Sequence, residues 1–269
     1  MADFHVLTNA GERLDIPEVR RITVNDLFAS LADGWRDFWR KPSHLAFLGL
    51  IYPLVGAALA VWSSGNNSWP LLFPLITGFA LVGPFAALPI YEMSRRQEIG
   101  LDTNWRAAFD VFRTPAFASI AALGVWLMIV FTVWLMCAQF LYESLYGPGS
   151  PPTLNAFLNE VFSTSQGQAL MLWGNLIGFC FALVVLATAV VSIPLLLDRD
   201  VGTAVAVQTS IRVVLRNPLV IALWGLMVVA ILILGALPLL VGLAIAVPLL
   251  GHATWHLYRR AVVPPGDMR

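Results

Sequence analysis

The chain has 269 residues, of which 58% are apolar and 12% charged, with a mean hydropathy of +0.77; sixteen Lys/Arg balance sixteen Asp/Glu. Soluble domains carry about 25% charged residues, so the deficit excludes an ordinary water-soluble globular enzyme, and no basic domain exists for nucleic acid. The two cysteines, Cys137 and Cys180, fall inside apolar runs and away from metal-ligand spacing, so they read as small packing residues.

Residues 1–22 read as a cytoplasmic tail. They lack the basic-then-apolar layout of a signal peptide, and Arg20-Arg21 is followed by no apolar h-region, so the first span is expected to act as the insertion signal. A helix is expected over 23–40. Val24, Leu27, Phe28, Leu31, Trp35, Phe38 and Trp39 follow the i, i+3, i+4, i+7 pattern opposite Asp26, Asp33, Arg36 and Asp37. Thr23 with Asp26 resembles a capping pair.

The helix ends in WRDFWRKP (35–42), and that ending recurs as AFDVFRTP (108–115) and IRVVLRNP (211–218). Each copy has two bulky apolar residues before Arg-x-Pro, and each proline opens an apolar run. Proline suits the first turn of a helix and pushes the residue before it out of the α region. The pattern therefore predicts a surface helix ending where a span begins. Further surface helices are expected over 102–113 and 201–216. Thr114 and Asn217 are expected to cap the next spans.

Six spans are expected, at about 43–62, 70–91, 116–142, 168–197, 218–236 and 238–258. About 20 apolar residues cross a hydrocarbon core of roughly 30 Å, so the third and fourth are long enough to tilt or protrude. None contains Asp, Glu, Lys or Arg. All sixteen Lys/Arg lie in 1–42, 92–114, 198–217 and 259–269, and none in the loops 63–69 and 143–167. By the positive-inside rule both termini are cytoplasmic and the span count is even. The long outer loop is expected to carry a short helix near 153–162. Asn175, Gln139, Thr77, Thr132, Thr188 and Ser192 are expected to hydrogen-bond between helices.

The exits of the first and third hairpins also match. PFAALPIYEMSRR (84–96) aligns without gaps to PLLGHATWHLYRR (248–260), and the middle unit is shorter, PLLLDR (194–199). The fold class expected is an all-α integral membrane protein: three repeats of cytoplasmic amphipathic helix plus transmembrane hairpin, within a domain spanning 23–262 and followed by a tail over 263–269. Trp35, Trp39, Arg40, Arg113, Arg216, Trp255, Arg259 and Arg260 are the expected lipid-interface anchors.

No catalytic residue is expected, because no Walker loop, GxGxxG or GxSxG is present. The one metal-like grouping is His252 and His256, four apart on a helix, with His44 and Glu92 at the same cytoplasmic depth. An ordinary interfacial belt or helix packing is the first reading of these histidines and ligation the alternative, and no cofactor is expected unless metal or haem binds there. The lipid bilayer and a membrane-protein partner are the expected partners.

Residues 20–38, 89–96 and 248–260 together resemble a bacterial family of integral membrane proteins classed as a domain of unknown function, over about 20–262. Some members are labelled cytochrome c oxidase subunit I. The resemblance implies a bacterial inner-membrane protein, and that label implies haem and copper ligation by several buried histidines, or an accessory role beside a respiratory complex. The chain holds four histidines, including His5 in the tail. The expected role is a non-enzymatic accessory or scaffold. The alternatives are a small-solute or metal transporter and a haem- or copper-linked factor of a terminal oxidase.

Overall fold

The computed structural model describes residues 16–40, 69–103, 107–149, 153–238 and 240–264, with Leu54, Ala58 and Val61. The expected first span, apart from those three helical positions, lies outside the described residues, as do His5, His44, Pro42 and most of both tails.

Among the described residues the chain is all-helical. The elements are α1 (Val24–Arg40), α2 (Trp69–Leu81), α3 (Gly83–Ala86), α4 (Leu88–Glu98), a 3-10 helix (Ala107–Arg113), α5 (Phe117–Tyr146), α6 (Leu154–Ser163), α7 (Ser165–Ala189), α8 (Ser192–Asp198), α9 (Thr203–Arg216), α10 (Pro218–Ala236) and α11 (Leu243–Ala261). Among the described residues, three stretches are long and apolar enough to cross a membrane: Phe117–Tyr146, Ser165–Asp198 and Pro218–Ala236. At 1.5 Å per residue, the 30 residues of α5 reach about 45 Å, beyond a core of about 30 Å.

The expected span at 70–91 is not one helix. It breaks at Val82 and Ala87 into α2, α3 and α4. Pro84 and Pro89 explain the breaks, because each lacks an N–H and its ring opposes the carbonyl four residues earlier. Each proline then occupies the first turn of the next helix, where neither defect matters. Pro194 does the same to the fourth span: a turn at Val190–Val191 separates α7 from α8. The sixth begins later than expected, after a turn over 237–242 that places Leu240 at φ 67°.

The described residues fall into two compact units, one from Met1–Pro53, Pro84–Gly124 and Leu186–Arg269, the other from Leu54–Gly83 and Val125–Val185. In the first, α11 is the central element. Leu250, Ala253, Trp255, Leu257, Tyr258 and Ala261 are all buried on it. Two glycines set its distance from its neighbours. A Cβ on Gly34 of α1 would lie 2.6 Å from the Ala253 backbone nitrogen, and one on Gly251 would lie 2.7 Å from Ile90 of α4. α1 runs antiparallel to α11, with Arg260 reaching Ser30 and His256 reaching Asp37.

The chain ends of this unit are tied together by polar contacts. Arg20 N donates to Ala261 O (2.8 Å) and Val263 N to Glu18 O (2.9 Å), around a single antiparallel bridge between Val19 and Val262. Thr23 and Asp26 form the expected capping pair: Thr23 N and Oγ1 donate to Asp26 Oδ2 at 2.7 and 2.8 Å.

Asn217 and Thr114 differ from expectation. Asn217 holds the N-cap position of α10 without capping it. Its Oδ1 accepts from Ile22 N (2.9 Å), and its Nδ2 donates to Arg20 O and Val213 O (both 3.1 Å). Thr114 donates back to Val111 O (2.8 Å). Asn217→Ala should therefore strand the buried Ile22 N–H and destabilise the protein by about 1–3 kcal/mol, read as a lower thermal midpoint in detergent. A midpoint unchanged from wild type would contradict this tie.

In the second unit, Trp134 of α5 donates from Nε1 to Pro74 O (2.9 Å) and packs on Phe181 of α7, ring centroids 5.7 Å apart. The outer-loop helix α6 starts where expected: Thr153 Oγ1 accepts from Ala156 N (3.2 Å). Its Phe157 and Val161 bury against Tyr142. The polar residues expected to link helices mostly bond within their own. Thr77 donates to Phe73 O, Thr132 to Met128 O and Asn175 to Met171 O. Ser192, in the first unit, does cross, donating to Ala206 O (3.1 Å) as well as to Thr188 O.

Candidate functional site

On α11, His252 and His256 are one turn apart and point to one side, as their spacing requires. α1 brings Asp37 to that side and α4 brings Ser94. His256 Nε2 lies 2.7 Å from Asp37 Oδ2. Ser94 Oγ lies 2.5 Å from His252 Nδ1 and 3.5 Å from Asp37 Oδ2, so its single proton serves one of the two. Arg40 reaches Asp37 Oδ1 at 3.5 Å from a largely exposed position. Asp37 is only 5% exposed, and Ser94 and His252 are buried. The Nε2 atom of His252 is buried and has no hydrogen-bond partner among the described residues.

A hydroxyl, two imidazoles and a carboxylate invite comparison with acyl-transfer sites. In those, the carboxylate orients the histidine through the ring nitrogen far from the serine. Here Asp37 engages Ser94 and His256, and the far nitrogen of His252 is the unpartnered one. The arrangement joins three helices and lacks the oriented base that a nucleophilic serine needs.

Glu92, expected beside the histidines, is taken by its own helix. Arg95 donates to both its carboxylate oxygens (2.8 and 2.9 Å) and Arg96 to one (2.7 Å). The hydrogen bond to Glu92 holds the Arg95 guanidinium above its ordinary value, against the opposing effect of burial. Arg96 continues to Asp110 at 3.0 Å. Among the described residues, no three His, Cys, Asp or Glu side chains converge as a ligand set. Glu92 is paired with two arginines and His256 Nε2 with Asp37, and the buried His252 Nε2 has no hydrogen-bond partner among the described residues. His44, the fourth member of the expected ligand set, lies outside the described residues.

The expected interface anchors divide into two sets. Trp35, Trp39, Arg40, Arg113 and Arg216 are exposed. Trp255 is 1% exposed and donates to Glu98 Oε2 (2.9 Å). Arg259 binds Glu98 (2.8 Å) and Asp198 (3.2 Å), and Tyr258 donates its hydroxyl to Asp198 (2.6 Å). Arg260 binds Asp33 and Ser30. The matched Arg-Arg exits thus face protein acids.

Asp37, Ser94 and Asp198 carry no motif, and reading the sequence for motifs misses them. One signal was available for Asp37: Ser30, Gly34 and Asp37 share a face at i, i+4, i+7, the small-residue spacing of a close helix crossing.

Long apolar helices, charged side chains paired off at helix ends and apolar side chains left outward together define an all-helical integral membrane protein. Residues 71–198 match the model of the family described as "Predicted integral membrane protein (DUF2189)", a domain of unknown function. That match takes in the stretch 89–96, and it leaves 20–38 and 248–260 outside. No curated protein and no solved structure matches the chain.

Proposed function

We propose that the chain is a six-span scaffold of the bacterial inner membrane, with both termini cytoplasmic, acting through helix packing and its surface helices rather than by catalysis. The observation that carries this is the division of α1 into two faces. Leu27, Ser30, Gly34, Asp37 and Phe38 are buried, with direct contacts to α11 from Ser30, Gly34 and Asp37, whereas Phe28, Trp35 and Trp39 remain exposed on the other side. A face of large aromatics held rigidly on a packed helix suits the bilayer interface or a membrane partner. Three-fold repetition is supported by the matching ends of α1, the 3-10 helix and α9. Each closes on an arginine two residues before a proline: Arg40, Arg113 and Arg216.

The test is co-purification after mild detergent extraction. The scaffold reading expects a stoichiometric membrane-protein partner with wild type, lost with Phe28→Ser/Trp35→Ser/Trp39→Ser while the fold is kept. Extraction of wild type as a solitary chain contradicts it.

A second reading is favoured by His252 Nε2, whose missing partner is a place for a small polar solute or a metal in transit. Metal analysis and an optical spectrum of the purified protein test it together with the haem- or copper-linked alternative. Bound metal, or a haem absorption band lost in His252→Leu, supports ligation. Metal-free, colourless protein removes the metal and haem forms.

A further inference from the structure

We infer that the groove between residues 16–19 and α9 binds the phosphate headgroup of an anionic phospholipid, whose acyl chains lie along α10. The groove is open and lined by Ile16, Pro17, Glu18, Val19, Arg212, Leu215 and Arg216. Arg212 and Arg216 are one turn apart on α9, so both guanidinium groups can reach one anion. Both are exposed, and neither makes a hydrogen bond or ion pair among the described residues. Arg95, Arg96, Arg199, Arg259 and Arg260 behave differently, each binding an acid of the same unit. Glu18 shares the groove, so its lining keeps a net positive charge with both basic groups on one helix.

The apolar surface that continues from this groove is suited to acyl chains. Leu215 is 73% exposed, and α10 opens two residues after Arg216 with Leu219 84% exposed. From there Leu226, Val229 and Ile233 extend the exposed side of a helix apolar enough to cross a membrane. A basic end leading into an outward apolar lane matches the two parts of a phospholipid in order. Asn217 fixes the geometry by tying the α9–α10 junction to Arg20 and Ile22, just beyond the segment that forms the other wall.

The inference rests on the membrane reading, so the two are tested separately. The full chain, purified in a neutral detergent, is melted with dioleoylphosphatidylglycerol, dioleoylphosphatidylcholine or inorganic phosphate added. Phosphatidylglycerol at saturation should raise the midpoint by about 5 °C, and phosphatidylcholine and inorganic phosphate should leave it unchanged. Arg212→Gln/Arg216→Gln should keep the lipid-free midpoint, since both side chains are exposed, and should lose the shift. An equal shift from phosphatidylcholine or from free phosphate, or a shift kept by the variant, overturns the lipid site. So does a midpoint that rises with protein concentration regardless of lipid charge, the mark of a second copy seated there. Alkaline carbonate separates the two readings. Wild type retained in the membrane pellet without a phosphatidylglycerol shift defeats this inference alone, and wild type washed off the membrane defeats the membrane reading as well.

Discussion

Gly34→Leu is expected to lower the apparent melting temperature of the detergent-solubilised protein by about 10 °C, the largest effect of any single change at the helix crossings. The reason is the backbone that stands opposite. The nearest atoms to an added Cβ at position 34 are the Ala253 nitrogen and Cα, at 2.6 and 2.9 Å. Backbone cannot rotate away as a side-chain tip can, so α1 must move off α11 as a body. That movement strains two polar ties at once, Asp37 to His256 and Arg260 to Asp33. Gly34→Ala should already be harmful, unlike the usual gain of about 0.5–1 kcal/mol for this change within a helix. Gly174→Ala is the control. Its nearest neighbour is the tip of Leu141 at 3.8 Å, so it should be neutral or slightly stabilising. Equal midpoints for the two alanine variants would mean that α1 and α11 do not approach at Gly34.

Asp37→Ala is expected to cost about 3 kcal/mol, and Asp37→Asn about 1 kcal/mol. The carboxylate is buried where three helices meet, so its removal leaves His256 Nε2 without its partner in a place water does not easily fill, while Ser94 keeps His252 Nδ1. Arg40 adds little to this, because it is mostly exposed and its contact is long. Asparagine keeps the volume and one acceptor, which is why its cost is smaller. Combining Asp37→Ala with His256→Ala should cost at least about 1 kcal/mol less than the sum of the two single changes. Strict additivity in denaturation of the four proteins would show that the pair does not interact.

These residues also mark the boundary between local and tertiary information in the sequence. Helices over 117–146, 154–163 and 218–236 are legible because their signals are local: long apolar runs, a threonine cap at 153, a proline at 218. The break of 70–91 is locally encoded as well, in Pro84 and Pro89, but the apolar composition outweighs those two residues when a run is read as a whole. Counting every charge as solvated places Asp37 on the outer face of its helix. Its burial depends on Gly34 admitting α11, and that is a tertiary fact. The paired arginines at 95–96 and 259–260 show the same limit. A membrane-end arginine looks alike whether it meets a lipid phosphate or a carboxylate on the next helix. For Arg259 and Arg260 the carboxylates belong to residues 33, 98 and 198. The histidines at 252 and 256 are legible as a pair on one face, but their partners, Ser94 and Asp37, lie 158 and 219 residues away.

The proposed topology, six spans with both termini cytoplasmic, puts the ion pairs of the described residues on the cytoplasmic side of the membrane. Cysteine accessibility in whole cells tests it most directly, in a chain whose Cys137 and Cys180 are first replaced by alanine. Asn159→Cys on α6 and Gln208→Cys on α9 are both exposed positions. A membrane-impermeant maleimide is predicted to label Asn159→Cys in intact spheroplasts and Gln208→Cys only after permeabilisation. Labelling of both in intact spheroplasts, or the reverse pattern, would contradict the account.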